Sequence, residues 1–140
     1  MARKVQDVMS VRPIQLDRQT TLVEAATKMC DENVGDVIVV ENGKIMGIVT
    51  DRDIAVRAVA KGKDPNTTRL YEICSCDLTT VLPDDDVDRA IDLMRQKAIR
   101  RLPVVDSQNR AVGILSLGDL AQARDRRSVL GHISAAPPNQ

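Results

Sequence analysis

Two carboxylates occupy matching places in a phrase that the sequence contains twice, as GIVTDRDIA and as GILSLGDLA. Each copy has a glycine, two aliphatic residues, a hydroxyl residue, two variable residues and an aspartate, which is Asp53 in the first copy and Asp119 in the second. A carboxylate at a strand-to-helix junction can accept hydrogen bonds from the vicinal hydroxyls of a ribose. The amides of the helix N-terminus and the hydroxyl of Thr50 or Ser116 are then available to phosphate oxygens.

The same four residues have a structural interpretation. Thr50 and Ser116 are residue types preferred at helix N-caps, and Asp53 and Asp119, three positions later, would complete capping boxes. Capping alone would explain why a hydroxyl and a carboxylate occur at these positions, because a cap stabilises each helix by about 1 kcal/mol. The sequence leaves both interpretations open.

Arginines lie near both phrases and favour a phosphate-bearing ligand. Arg52 is part of the first phrase, and Arg100 and Arg101 precede the strand LPVV of the second copy. Guanidinium groups bind phosphate through paired hydrogen bonds. The first copy has Gly35 and Asp36 where the second has the arginine pair, and a carboxylate there repels phosphate. We therefore expect two unequal sites, with the second copy preferred.

The phrases belong to a duplication that spans most of the chain. Residue 5 aligns with residue 70, so that Ala25 faces Ala90 and Met29 faces Met94. Each copy predicts the order strand, helix, strand, strand, helix, which is an α+β fold with α/β-like repeats. A three-stranded sheet needs cover on its second face, so we expect the two copies to pack about an internal pseudo-twofold axis. The predicted divisions are repeat 1 at 5–62, a linker at 63–69, repeat 2 at 70–125 and a C-terminal tail at 126–140.

Local signals place the elements of each copy. Thr21 with Glu24 predicts a capping box at the start of the first long helix, and Asp86 is predicted to cap its counterpart. Asn42-Gly43 supplies the positive φ angles of a tight hairpin between two strands.

Composition excludes several classes of function. The chain has 140 residues with 20 basic and 20 acidic side chains, so no global field attracts nucleic acid or anionic membrane. Tyr71 is its sole aromatic residue, which argues against base stacking, and the small basic clusters RRLP and RDRR are typical of solvated helix faces. Without a long apolar segment or an export signal, the protein is expected to be cytoplasmic and not membrane-bound.

The cysteines and the catalytic residue types give no clear site. Cys30, Cys74 and Cys76 are expected to be reduced thiols. The segment CSC is compatible with metal or redox chemistry, but zinc needs four ligands and His132 is distant in sequence. Small side chains in an extended segment are the simpler interpretation. With no nucleophile–base pair or metal-ligand cluster, we predict no catalytic residue, no metal site and no required cofactor.

The duplicated strand-helix-strand-strand-helix order, the paired phrases and the RRLPVVD strand closely resemble a CBS domain pair, also called a Bateman module. The resemblance covers residues 5–125. TDRDIAVRAVAKGKDPNT is similar to the small stand-alone CBS-pair proteins of bacteria, including those of hypoxic or stress responses. The resemblance implies a regulatory module that is not an enzyme.

The resemblance also implies ligands and site residues. Members of this family commonly bind AMP, ADP, ATP or S-adenosylmethionine in two clefts between the repeats. Carried over by motif, Asp53 and Asp119 would hold ribose hydroxyls, and Thr50 and Ser116 ribose or phosphate. The adenine would lie against strand segments, namely Pro13, Ile14, Val37 and Ile38 in the first copy and Leu78, Thr79, Leu102 and Pro103 in the second.

Two hypotheses of function follow. In the first, a nucleotide favours one arrangement of the protein and so changes a surface that a second subunit or an unknown protein partner recognises. The family resemblance implies a homodimer, with the helices that begin near Asp53 and Asp119 as its candidate interface. In the alternative, the protein is an interaction or redox-responsive module that keeps the fold and binds no nucleotide.

Overall fold

The computed structural model describes residues 3–75 and 78–124, which form helices and short strands. The elements in chain order are α1 (Val5–Val8), β1 (Ser10–Val11), β2 (Gln15–Asp17), α2 (Leu22–Glu32), β3 (Asp36–Glu41), β4 (Lys44–Thr50), α3 (Asp51–Asp53) continued by π-helical turns (Ile54–Val59), a 3-10 turn (Leu70–Glu72), α4 (Val87–Lys97), β5 (Arg101–Val105), β6 (Ala111–Ser116) and α5 (Leu117–Arg124). This is the predicted fold of tandem repeats that mix helix and strand. The first strand predicted for the second repeat is a single bridge, in which Val81 pairs with Val104.

The described chain forms two compact units, and neither is continuous in sequence. The first unit contains residues 13–75, 78 and 108–111, and the second contains 3–12, 79–107 and 112–124. The segment that precedes each repeat's first strand therefore belongs to the unit built mainly from the other repeat. The predicted tail at 126–140 lies outside the described residues, as does Cys76.

The first unit is built on a sheet in the order β2-β3-β4. Strand β2 runs parallel to β3, β3 runs antiparallel to β4, and Ser75 forms an antiparallel bridge with Ile48 of β4. One face of α2 packs on this sheet, because its apolar residues recur every three or four positions. The core contains Leu22, Ala25, Met29, Val37, Val39, Val49, Ala58, Leu70 and Ile73.

The second unit repeats this plan with β1 at the sheet edge. The order is β1-β6-β5, and Ser10 of β1 lies opposite Ile114 of β6 in an antiparallel pair. Ser10 thus occupies in the second unit the place that Ser75 occupies in the first. The core contains Val5, Val81, Ala90, Met94, Leu102, Val104, Leu115 and Leu120.

The predicted hairpin turn is confirmed, and the predicted helix caps are confirmed in part. Asn42 and Gly43 have φ values of 53° and 77° between β3 and β4. The Thr21 hydroxyl accepts from the Glu24 N–H at 3.3 Å, so Thr21 caps α2. The Glu24 carboxylate accepts from the Thr21 hydroxyl at 3.0 Å instead of from its main-chain N–H, so the return half of the capping box is not formed.

The prediction that the Asp86 side chain caps α4 is wrong. Asp86 is at the N-cap position but makes no side-chain cap. Its Oδ1 accepts from Lys4 Nζ at 3.0 Å, and the Val87 N–H at the helix start donates to the Arg3 carbonyl at 2.8 Å. A cation that is distant in sequence outcompetes the local amides for this carboxylate.

Candidate functional site

The first repeated phrase forms a strand-to-helix junction, which we call the first junction and define by Thr50, Asp53 and the facing Gly35. The Asp53 N–H donates to Thr50 Oγ1 at 3.1 Å, and the Thr50 N–H donates to Asp53 Oδ2 at 2.9 Å. The Asp51 N–H donates to the Gly35 carbonyl at 2.9 Å. These bonds fix the first turn of α3 on the end of β4, and they form the capping box of the structural interpretation.

The second junction, defined by Ser116, Asp119 and the facing Arg100, has the same geometry. The Asp119 N–H donates to Ser116 Oγ at 3.0 Å, and the Ser116 N–H donates to Asp119 Oδ2 at 2.9 Å. The Leu117 N–H donates to the Arg100 carbonyl at 2.9 Å. Arg100 therefore holds the place of Gly35, as the alignment of the two copies predicts.

The two aspartates differ in their second carboxylate oxygen. A carboxylate has two oxygens, and the capping box uses only Oδ2. Asp53 Oδ1 lies 3.6 Å from Arg57 Nε, whereas Asp119 Oδ1 makes no hydrogen bond or ion pair with residues 3–75 or 78–122, the part of the chain whose side chains the structure describes. Capping and ligand binding are thus compatible in one carboxylate, and the second junction has the open oxygen.

The charged residues around the two junctions also differ. Asp36 lies opposite Thr50 in the β3–β4 register, where the second unit has Arg101 at the start of β5. Arg100 is exposed and Arg101 is partly buried. Arg52 is exposed in the first turn of α3, and its main-chain N–H donates to Asp51 Oδ1 at 2.8 Å. The second junction is accordingly the more electropositive in formal charge.

The strand residues predicted to contact adenine fall into two groups. Val37, Ile38, Leu102 and Pro103 are buried, so their side chains are enclosed by the protein. Ile38 also donates its N–H to the Ile14 carbonyl at 2.8 Å. Partly exposed side chains remain at Pro13, Ile14, Leu78 and Thr79. Contact between adenine and any of these residues stays a prediction.

Sequence reasoning missed two chain segments, one at Ser75 and one at Met9 and Ser10, that pass next to the glycines of the repeated phrases. A Cβ on Gly47 would lie 2.6 Å from the Ser75 carbonyl oxygen, and a Cβ on Gly113 would lie 2.6 Å from Met9 Sδ and 3.0 Å from the Ser10 carbonyl oxygen. The glycine of the repeated phrase therefore allows another backbone to approach. A glycine inside a strand pattern is a known sign of such an approach.

The structure describes two of the three cysteines, and neither forms a disulfide. Cys30 is exposed and Cys74 is partly buried. Within 3–75 and 78–124, no three His, Cys, Asp or Glu side chains are grouped so that they could hold a metal ion. In the same ranges, no helix combines the length and the apolar character needed to cross a membrane.

Comparison with known proteins gives a consistent family match. A family model described as the CBS domain matches residues 5–59 and again residues 70–126. The CBS domain-containing protein YhcV of Bacillus subtilis is 44% identical over 117 residues, which are 84% of this chain and 82% of that protein. Hypoxic response protein 1 of Mycobacterium tuberculosis is 28% identical over 130 residues, which are 92% of this chain and 90% of that protein.

Solved structures agree with the family model. The crystal structure of the CBS domain pair of protein MJ0100, in complex with 5′-methylthioadenosine and S-adenosyl-L-methionine, has a TM-score of 0.82 and 29% sequence identity. That match covers 91% of this chain and 100% of the other.

Proposed function

Because the chain belongs to the CBS domain family and contains two CBS domains, we propose that it is a non-catalytic regulatory module that binds an adenosine nucleotide. Binding changes its conformation or its association with a partner. The observation that carries this proposal is the second junction, where one Asp119 carboxylate oxygen has no partner among residues 3–75 and 78–122, while the other holds the start of α5.

The proposed ligand is matched by the chemistry of the second junction. Asp119 Oδ1 accepts from the ribose diol, as acidic residues at strand-to-helix junctions do in dinucleotide-binding folds. Arg100, Arg101 and the Ser116 hydroxyl then bind phosphate. The partly exposed Thr79, which lies in the same unit as Asp119, contacts the base. The ligands named for the related MJ0100 pair, 5′-methylthioadenosine and S-adenosyl-L-methionine, are both adenosine derivatives, which supports this ligand class.

The first junction is the weaker site in this proposal. Asp36 replaces the arginine of the second unit, and a carboxylate there opposes phosphate binding. Arg52 provides a compensating cation, so Thr50 and Asp53 remain candidates for a second nucleotide or for an uncharged nucleoside.

Titration calorimetry with AMP, ADP, ATP and S-adenosylmethionine tests the proposal. Asp119→Asn keeps an oxygen that can accept from the Ser116 N–H but removes the charge. We expect it to weaken binding by about 10- to 150-fold, since hydrogen bonds to charged groups contribute about 1.5–3 kcal/mol. Asp88→Asn is the matched control, because Asp88 is an exposed acid in the first turn of α4. Absence of binding by all four ligands, or equal affinities in the two variants, contradicts the proposal.

The alternative is an interaction or redox-responsive module that binds no nucleotide. In this alternative the capping boxes are the whole role of both aspartates, and Cys30 is exposed to oxidants. This alternative predicts no stabilisation by any of the four ligands. Under the first proposal, a ligand at about 100 times its dissociation constant adds about 2.7 kcal/mol to the unfolding free energy.

We propose further that the protein acts in the cytoplasm as a homodimer, in a stress response of the kind that the name of Hypoxic response protein 1 indicates. Val56 and Val59, on the π-helical turns after α3, are 41% and 64% exposed, and Leu117 at the start of α5 is 54% exposed. In either unit, a second copy of the chain would cover such apolar side chains.

A further inference from the structure

Arg57 joins the first junction to a segment that is distant in sequence. It lies in the π-helical turns, four residues after Asp53, and its Nε is 3.6 Å from Asp53 Oδ1. Its Nη1 donates to the Ile73 carbonyl at 3.2 Å. The second bond anchors the guanidinium, so Arg57 loses less side-chain freedom when it stays beside the carboxylate than an unanchored arginine would.

Arg57 completes the set of partners around the Asp53 carboxylate. The Thr50 N–H holds Oδ2 and the guanidinium lies against Oδ1, so both oxygens are engaged by the protein itself. Only 17% of the Asp53 side chain is exposed, whereas 50% of the Arg57 side chain is exposed. The guanidinium is therefore the more accessible member of the pair.

The second junction lacks an equivalent cation at this position of the helix. The residue four positions after Asp119 is Ala123, which carries no charge. Residues four apart on a helix are neighbours, so this is the position from which an arginine would reach Asp119.

We propose that Arg57 is a specificity-determining residue at the first junction: its guanidinium occupies the Asp53 oxygen that a ribose diol needs, and so lowers affinity there relative to the second junction. The inference rests on the proposed nucleotide function. The ion pair is partly exposed, so its removal is expected to raise affinity by about two- to fivefold, in keeping with the modest strength of such pairs.

The test is titration calorimetry of the full chain with AMP, with the second junction weakened by Asp119→Asn so that the heat reports the first. In this background, Arg57→Met keeps the apolar stem but removes the cation, and we expect affinity to rise about two- to fivefold. Arg57→Lys keeps a positive charge and is the matched control, with affinity close to that of the parent. Circular dichroism confirms that each variant is folded.

The converse variant places a cation at the equivalent position of the second junction. Ala123→Arg in the otherwise unaltered chain is expected to lower affinity at Asp119 by a similar factor of about two to five. The two changes together would show that the position of the cation sets the ranking of the sites.

Unchanged or weaker AMP binding in Arg57→Met overturns the inference, and weaker binding identifies Arg57 as a phosphate ligand. The proposed function survives that result if Asp119→Asn alone still weakens binding. Absence of AMP binding in the unaltered chain and in every variant contradicts the nucleotide function and this inference together.

Discussion

At the scale of single residues, Gly47 shows why the repeated phrase needs a glycine. A Cβ at this position would lie 2.6 Å from the carbonyl oxygen of Ser75, which is main chain and cannot rotate away. We predict that Gly47→Ala lowers the free energy of unfolding by about 1–3 kcal/mol, the usual cost of overpacking. Urea denaturation measures this change.

Gly118→Ala is the control for this prediction. The nearest atom to a Cβ on Gly118 is Ser116 Oγ at 3.6 Å, and the residue lies in α5. Alanine is favoured over glycine in helices by about 1 kcal/mol, so this variant is expected to be neutral or stabilising. Equal destabilisation by the two substitutions would contradict the role assigned to Gly47.

Helix caps show how far local sequence predicts side-chain contacts. Thr21 and Asp86 are both of residue types favoured at N-caps, and both occupy that position, but only the Thr21 side chain makes a cap hydrogen bond. The difference comes from Lys4, which approaches Asp86 from another part of the chain. No pattern within a few residues of Asp86 contains that information. The contact of Arg57 with Ile73 could not be predicted for the same reason, whereas its i,i+4 spacing from Asp53 was a signal that the sequence did display.

At the scale of elements, the segment before α1 and the start of α4 form a pH-sensitive contact. The hydrogen bond from Lys4 to Asp86, reinforced by their opposite charges, raises the pKa of Lys4 above its ordinary value of 10.5. A raised lysine pKa means that the contact stabilises the fold below the ordinary value and loses this effect as pH rises through the raised one. The effect is small, because both side chains are about half exposed.

We predict that the melting temperature of the unaltered protein exceeds that of Lys4→Met at neutral and mildly alkaline pH, and that the difference vanishes above the raised lysine pKa. Thermal unfolding followed by circular dichroism across this range measures it. Lys4→Arg is the control, because arginine stays charged throughout and should retain its advantage. A difference that is independent of alkaline pH would argue against the ion pair as its source.

The longer elements could be predicted from the sequence. The short segments that pair with a sheet built mainly from the other repeat, which are β1 and the stretch at Ser75, could not. Strands β3 and β4 and helices α2 and α4 follow apolar periodicity and turn residues that the sequence displays. Strand β1 has only two residues and Ser75 forms a single bridge, so neither has a period to detect. The glycines at 47 and 113 were the available signal.

At the scale of the whole molecule, the compact units predict which fragments fold. The first unit's core includes Leu70 and Ile73, which lie beyond the end of the first sequence repeat. A fragment of residues 13–78 keeps every member of this core cluster, whereas a fragment of residues 5–62 loses these two. Each buried aliphatic side chain contributes about 1.5–3 kcal/mol.

We therefore expect the fragment 13–78 to show a cooperative urea transition at a higher midpoint than the fragment 5–62, or to be the only one of the two that shows a transition. Circular dichroism and urea titration compare them directly. Equal midpoints would mean that the sequence repeat is the independently stable unit.

The pairing of β1 with β6, and of Ser75 with β4, bears on how such a chain could arise. The same pairing in a single-copy ancestor would have required two polypeptides to swap their leading segments. Gene duplication would then have fused two subunits that already depended on each other, and the tether replaced a concentration-dependent encounter with an intramolecular one.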